Sequence, residues 1–456
     1  MKKIIWFDVT YLINWNGSPV GIVRVLIELA LIYSQDRLIK FCIFNSKLNC
    51  FEEVPVSIVI RKVNELHNLN TNISNLFKPP KKSQLGKVKQ LATKAIINFL
   101  PENKFKDVAI IFSKKLSEFY FNYVLLPNKI YKLKESNFIA ILFHQKNEIL
   151  KKIIFNANDV YLNCGLSWEN SALASIYLIK KKRNVRVVTF CYDLIPVTHP
   201  EYYLNKLTRL FVQYFKILIK SSDSIICFSN YTRKILCDWS TKMQLCLKES
   251  RVITPGGDSF STRNNGSVSN QILNIANSSF ILYVSTIEIR KNHRVLLNAY
   301  KSLLEKHSHN VIPKMLWVGK IGWGISDLLA ELEDDSQLKK YVAILDNVND
   351  TELELLYKRC QFTVFPSLIE GWGLPITESL KHGKLCVTAC NSSLPEATGN
   401  FSYFIEENTP QKWEEMLWSL FINKQLVKKL NSNIKRLYRP KKWIEFASEL
   451  KSVCLK

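Results

Sequence analysis

The sequence predicts an α/β protein made of two Rossmann-like domains, each with a parallel sheet. Three observations predict it. Short apolar runs rich in β-branched residues alternate with amphipathic segments of helical period. Those runs are apolar on both faces, as strands covered by helices on each side are. The alternation breaks once, at DSFSTRNNGSVSNQILNIANSS (258–279), and then restarts. A chain of 456 residues has room for two such domains. The expected organisation is a first domain over 1–258, a linker over 259–279 and a second domain over 280–430. The remainder, 431–456, ends in PKKWIEFASELKSVCLK, an amphipathic helix expected to pack back on the first domain.

In the first domain the expected strands are IIWFDVT (4–10), KFCIFN (40–45), VAIIFS (108–113), FIAILFH (138–144), DVYLNC (159–164), VRVVTFCYD (185–193) and SIICFS (224–229). VITPGGD, just before the linker, reads as a further strand and a turn. In the second they are FILYVST (280–286), KMLWVGK (314–320), VAILDNV (342–348), FTVFPS (362–367) and KLCVTAC (384–390). Segments such as GIVRVLIELALIYS and HRVLLNAYKSLLEK supply the helices between them.

Charge narrows the function classes. Sixty-three Lys and Arg against 39 Asp and Glu leave a formal net charge of +24. That imbalance points to an anionic partner: nucleic acid, anionic lipid or phosphorylated ligands. Residues 46–135 read as a basic insertion, and 78–115 carry ten lysines against one Glu and one Asp. This stretch is either a basic amphipathic helix on an anionic membrane surface or a solvated face. The run IKKKR (179–183) fits a helix C-terminus rich in cations. Eleven cysteines without a C-x-x-C pair, mostly inside apolar runs, read as buried, reduced thiols of a cytoplasmic protein. The start MKKIIWFDVT breaks at Asp8, too early for a signal peptide. No run is long enough to span a membrane.

The densest chemistry lies in FPSLIEGWGLPITESLKHG (365–383). A buried strand ends at Pro366, and ligands of open α/β sheets bind beyond the carboxyl ends of strands. Glu370 falls in that loop. Gly371 and Gly373 let the backbone approach a ligand. Pro375 suits a helix start and Gly383 the residue past its end. Glu378 then sits in or near the first turn, beside N–H groups that form an anion site. Two carboxylates around an anion site suit a ligand with a phosphate and several sugar hydroxyls. A lone Glu378 would be explained by the helix dipole; Glu370 beside a Gly-Trp-Gly turn would not.

Three further segments support this. In YVSTIEIRKNHRVLL (283–297), Arg290 and Lys291 lie at a strand-to-helix crossover, where two cations neutralise a diphosphate, and Asn292 is expected to cap the helix from His293. In INWNGSPVGIVRVLIEL (13–29), Gly17, Pro19 and Gly21 form a turn before a helix, though not a G-x-G-x-x-G. In FCYDLIPVTHPEYY (190–203), a strand delivers Tyr192 and Asp193 to its carboxyl end. No D-x-D, H-E-x-x-H, G-x-S-x-G or P-loop pattern occurs, and nothing resembles a helix-turn-helix.

Together these elements resemble the retaining GT-B glycosyltransferases of glycosyltransferase family four. The resemblance spans most of 4–34 and 186–410 and is strongest in the E-x7-E stretch. STIEIRKNH, WVGKIGWG and ILDNVNDTELELLYKRCQFTVFPS follow in order and spacing. The DLIP loop and TIEIRKN resemble mannosyltransferases of bacterial surface polysaccharides. Two positions depart: Tyr192 stands where many relatives have His, and Ser285 where many have Gly.

The resemblance implies two Rossmann-like domains facing each other across a deep cleft. It implies that Glu378 binds the donor ribose and Glu370 the transferred sugar, with the Gly371-Trp372-Gly373-Leu374 turn against the donor. Arg290 and Lys291 would hold the diphosphate, and Gly21 would approach it from the other domain. Asn347 and Val348 would line the base site, and Asp193 would face the acceptor or the donor sugar. The implied activity is transfer of a hexose, with GDP-mannose favoured, to a saccharide or lipid-linked acceptor in O-antigen, lipopolysaccharide or capsule synthesis. No metal cofactor is implied, and no nucleic acid. The implied location is cytoplasmic, with peripheral contact to the inner membrane. A UDP-sugar donor, a nucleotide-sugar epimerase and a basic nucleic-acid-binding protein are the alternatives.

Overall fold

The computed structural model describes residues 3–17, 19, 21–72, 150–166, 172–258 and 267–456. The chain divides into two compact units, residues 1–71 with 152–456, and residues 72–151. The described residues belong almost entirely to the first. The expected strands 108–113 and 138–144 and the basic stretch 78–115 lie outside the described residues, as does most of the expected insertion.

The first unit contains two sheets. The first is built from β1 (Ile5–Asp8), β2 (Ile39–Asn45), β3 (Cys50–Val54), β4 (Lys151–Lys152), β5 (Val160–Asn163), β6 (Arg186–Cys191), β7 (Ser224–Cys227) and β8 (Ser250–Val252). Its order is β4-β3-β2-β1-β5-β6-β7-β8. The second contains β9 (Phe280–Val284), β10 (Lys314–Val318), β11 (Val342–Leu345), β12 (Thr363–Phe365), β13 (Cys386–Ala389) and β14 (Ser402–Ile405), in the order β11-β10-β9-β12-β13-β14. The second sheet is parallel throughout, and β2 with β3 is an antiparallel hairpin in the first. Strand β1 is buried along its whole length, as are β5 and β7, which is why these strands read as unbroken apolar runs.

Three strands escape the sequence reading, the two-residue β4 among them. β3 (CFEEV) and β14 (SYFI) are short strands outside the central parallel ladder of each sheet, with half-buried positions that blunt the apolar signal. The expected linker also needs correction. Its apolar patch is a helix, Asn270–Ala276, capped by Ser269, whose side chain accepts from the backbone N–H of Ile272. Ile272 and Ala276 of that helix are buried, so the patch is apolar because it packs.

Helix α1 (Ile22–Tyr33) follows β1, α2 (Asn230–Lys242) follows β7, and α3 (His293–Lys306) follows β9. Helix α4 (Asp350–Arg359) precedes β12, α5 (Leu374–Lys381) follows it, and α6 (Leu394–Thr398) follows β13. The chain ends in α7 (Lys424–Leu437) and α8 (Trp443–Leu455). Helix α8 packs against the first sheet's layer. Its Phe446 meets the rings of Phe190 and Phe228, Lys451 pairs with Asp36, and the Ala447 carbonyl accepts from Tyr33 Oη at 2.9 Å. The chain therefore crosses between the lobes twice, near 254–258 and near 438–443. The crossings are joined: Gly257 N donates to the Lys441 carbonyl at 2.9 Å, and Trp443 N to Asp258 Oδ1. Because Phe446 is fully buried in an aromatic cluster, Phe446→Ala is expected to lower the unfolding free energy by about 3–5 kcal/mol. Urea denaturation checks this; a loss below about 1 kcal/mol would mean that α8 does not hold the lobe together.

Candidate functional site

In the second sheet the strand order reverses between β9 and β12, which pair side by side. The loops after these two strands meet at that switch point, where open α/β sheets bind ligands. The first loop brings Arg290 and Lys291 in a short 3-10 turn, and the second brings Glu370. Leu368 N donates to the Arg290 carbonyl at 2.9 Å and fastens the loops together. Arg290 Nη1 donates to Glu370 Oε2 at 2.9 Å and to the Ile369 carbonyl at 2.8 Å. Its Nη2 donates to Glu288 Oε1 at 2.8 Å, and Lys291 Nζ pairs with Glu370 Oε1. Arg290 Nε is buried and has no hydrogen-bond partner in the protein.

Burial alone would raise the pKa of Glu370. The charges of Arg290 and Lys291 outweigh it and, with hydrogen bonds from Lys291 and Ser367, hold it at about 2. Glu288 goes the other way: burial raises its pKa despite the same two cations. Asp193, two residues past β6, also has its pKa raised by burial, against the pull of Arg290. Its Oδ1 accepts from Ile195 N at 3.1 Å. Asp193, Arg290, Lys291 and Glu370 thus share one electrostatic cluster, although Asp193 comes from the first sheet's lobe.

The lobes touch at Gly371. A Cβ there would lie 2.1 Å from the Tyr192 carbonyl oxygen and 3.0 Å from Asp193 Cβ, so only glycine fits. The Gly371 carbonyl accepts from Ser229 Oγ at 2.9 Å and Thr232 Oγ1 at 3.2 Å. Glu396 of α6 caps α2 across the same gap, accepting from Asn230 N at 2.7 Å and Tyr231 N at 2.8 Å. Tyr192 donates its hydroxyl to the Cys164 carbonyl.

Gly373 has φ 110°, in the left-handed region, and starts α5 with Pro375 in its first turn. Leu374 is the first helical residue, and Gly383, φ 69°, follows the helix end. Trp372 is buried, and its carbonyl accepts from Ser393 Oγ at 3.2 Å. Glu378 lies just past the first turn. Its Oε2 accepts from Tyr357 Oη at 3.0 Å, and its Oε1 pairs with Arg24 of α1. Arg24 Nη2 also donates to Asp350 Oδ1 at 2.8 Å, and Nε to the Pro19 carbonyl at 3.2 Å. Gly21, φ 47°, precedes α1 and has open space beside it. In the loop before α4, Val348 packs half-buried on the core, and Asn347 is exposed, donating to Asp346 Oδ1 at 3.0 Å. Asn292 does precede α3, but its side chain does not cap it. It has φ 55° and donates to the Pro366 carbonyl at 3.3 Å instead, tying the two loops.

Sequence reasoning missed Arg24, Asp350, Glu288 and Glu396. A signal existed for the first. Arg24 is a lone charge among apolar residues in the first turn of α1, where the helix dipole disfavours a cation. Its partners are carboxylates more than three hundred positions away, which no local pattern reveals.

Residues 268–437 match the family of glycosyl transferases group 1. The matched residues make up most of the second lobe. The chain is 28% identical over 198 residues to the Escherichia coli serotype-specific mannosyltransferase WbdA, which covers 41% of this chain and 24% of that protein. It is 28% identical over 230 residues to the Escherichia coli O-antigen chain mannosyltransferase B, covering 49% of this chain and 58% of that one. It thus spans between a quarter and somewhat over half the length of these curated relatives. The Anabaena protein HepE in complex with UDP-glucose aligns with it at TM-score 0.56 and 14% identity, covering 99% of this chain and 98% of that one. Sucrose-phosphate synthase from Thermosynechococcus elongatus aligns at TM-score 0.54 and 13% identity, covering 99% and 98%. The fold is GT-B: the two lobes face each other across the contacts described above. Among the described residues no group of three or more His, Cys, Asp or Glu side chains is arranged to hold a metal ion. No helix of the described residues is long and apolar enough to cross a membrane.

The buried cluster makes the fold acid-sensitive in two overlapping windows. His293 is held down at about 3 by burial and by Lys291, against an ordinary 6.5, so protonation favours the unfolded chain as pH falls below 6.5. Glu370 titrates at about 2 against an ordinary 4.5, so its stabilisation is full above 4.5 and lost as pH falls towards 2. Each group is expected to cost up to about 1.4 kcal/mol per pH unit in its window. Denaturation series across pH 7 to 3 should show His293→Phe flattening the upper window and Glu370→Gln the lower one. Unchanged slopes in both variants would place the acid sensitivity elsewhere.

Proposed function

We propose that the chain is a retaining glycosyltransferase that moves mannose from GDP-mannose to a saccharide or lipid-linked saccharide acceptor of a bacterial surface polysaccharide, an O-antigen or a capsule. The observation that carries this reading is Glu370 kept ionised by Arg290 and Lys291 at the strand-order switch, just ahead of α5. Two cations and a helix start suit a diphosphate; an ionised carboxylate beside them suits sugar hydroxyls.

In this reading Arg290 and Lys291 share their charge between Glu370 and the donor diphosphate. Arg290 Nε, unpartnered in the protein, is a donor left for that anion. The amides of Gly373 and Leu374 and the Gly21 turn approach the same phosphates, and Trp372 holds the turn between them. Glu370 accepts from the hydroxyls of the transferred sugar, and Glu378 from those of the ribose. Asn347 and Val348 border the base, and Asp193 faces the sugar from the other lobe.

The bond from the anomeric carbon to the β-phosphate oxygen breaks and its electron pair leaves with the phosphate. The acceptor oxygen bonds the same carbon from the same face, and its proton passes to the departing phosphate. Negative charge therefore grows beside Arg290 and Lys291, where preorganised donors lower the barrier most. No metal is assigned a step.

The lean towards mannose rests on the names of the two Escherichia coli mannosyltransferases, each 28% identical over its aligned part. A UDP-sugar donor is the second reading, favoured by the UDP-glucose in the HepE structure. The net charge of +24 suits a site of action on an anionic cytoplasmic membrane face. An epimerase of the same fold needs an acid/base pair at the sugar, whereas the residues gathered here suit diphosphate and hydroxyl binding. A nucleic-acid-binding protein leaves the buried cluster without a role.

GDP or UDP is expected to raise the melting temperature of the wild-type protein, with the gain lost in Arg290→Ala. In a transfer screen over nucleotide sugars, Arg290→Ala is expected to lower kcat about 100- to 1000-fold. A melting temperature moved by nucleic acid and by neither nucleotide, or a Glu370→Ala variant with full transfer activity, overturns the reading.

A further inference from the structure

The carboxylate assigned to the ribose is already occupied. Both oxygens of Glu378 have protein donors: Tyr357 Oη on one and Arg24 on the other. Tyr357 belongs to the same lobe, one helix away, and is buried. Arg24 comes from the opposite lobe. It emerges from the first turn of α1, immediately after the Gly21 turn, and spans the gap to reach Glu378 and Asp350 together. The Arg24 side chain keeps 27% of its exposure and both carboxylates keep 19%, so water and ligand reach this bridge. The Glu370 cluster is more deeply buried.

We infer that Arg24 is a latch that the donor's ribose unseats: it ties the lobes through Glu378 and Asp350 in the empty enzyme and yields Glu378 to the ribose hydroxyls when the nucleotide binds. The inference rests on the reading above that Glu378 meets the ribose. Three features support an exchange rather than a fixed strut. Glu378 already accepts from two donors, and the Arg24 guanidinium reaches it from the opposite lobe, the side from which a ribose would enter, so ribose hydroxyls compete with Arg24 for the same oxygen. Arg24 is the exposed donor of the two. Asp350 gives the guanidinium a second anchor, so leaving Glu378 does not strand a charge. Arg24 also sits against the dipole of α1, a position that helix stability alone disfavours.

The exchange predicts a measurable competition. A nucleotide with ribose hydroxyls must displace Arg24 from Glu378; one without them leaves the latch in place. In the wild type the gain from the hydroxyls is offset by the lost ion pair, so affinity depends weakly on them. Without Arg24 the full gain appears, about tenfold for hydrogen bonds to a charged group. The experiment measures Kd by calorimetry for GDP, UDP and their 2′,3′-dideoxy counterparts on wild type, Arg24→Ala and Arg24→Met. The methionine keeps the aliphatic stem, so a packing defect in the alanine variant does not decide the result. The ratio of dideoxy to ribo Kd is expected to be near one in the wild type and about tenfold higher in both variants. Equal weakening of ribo and dideoxy forms, with the ratio unchanged, marks Arg24 as a structural strut and overturns the latch alone. Failure of both nucleotides to bind the wild type overturns the donor reading and the latch with it.

Discussion

A buried set of four charges organises the second lobe. Arg290 and Lys291 face Glu288 and Glu370, all with side chains under 15% exposed. Removing Arg290 strips Glu288 of its ion-pair partner, and removing Glu370 strips Lys291 of its own, each a loss of about 3–5 kcal/mol in a low-dielectric site. The surrounding geometry follows from that constraint. The two loops must meet at one switch point, so Leu368 and Asn292 bond across them. The Glu370 backbone must be fixed, so Ser392 and Ser393 hold its N–H and carbonyl. The set is formally neutral, which lets it persist without a ligand. Its two cations stand where the proposed donor diphosphate would add negative charge.

The lobes are joined differently on their two sides. At the crossings the contacts are apolar and close: Gly256 has no room for a Cβ against Trp443, and Phe446 fills an aromatic pocket. At the cleft mouth they are polar: Ser229 and Thr232 on a carbonyl, Glu396 on a helix start, Arg24 on two carboxylates.

Much of this was legible in the sequence because it is local. β1, β9 and β12 announce themselves as unbroken apolar runs, and the glycines and proline of 371–375 mark the turn that starts α5. Glu370, Arg290 and Lys291 could be named because each stands at the end of a readable strand. What stayed hidden is long-range or short. Arg24 finds its carboxylates from the far side of the chain. Gly371 looks like a ligand-approach glycine, yet its missing side chain makes room for the Tyr192 carbonyl. Helix 270–276 has only two buried residues, too few to raise a period above its Ser- and Asn-rich surroundings.

Helix α8 has a consequence for how the protein is made. Phe190 and Phe228 sit on the first lobe, but the side chain that covers them, Phe446, belongs to the last helix. On the ribosome, the first lobe emerges early and then waits with an aromatic surface bare while the entire second lobe is translated. Folding of the first lobe is thus completed last, and the nascent chain needs shielding from aggregation throughout that interval.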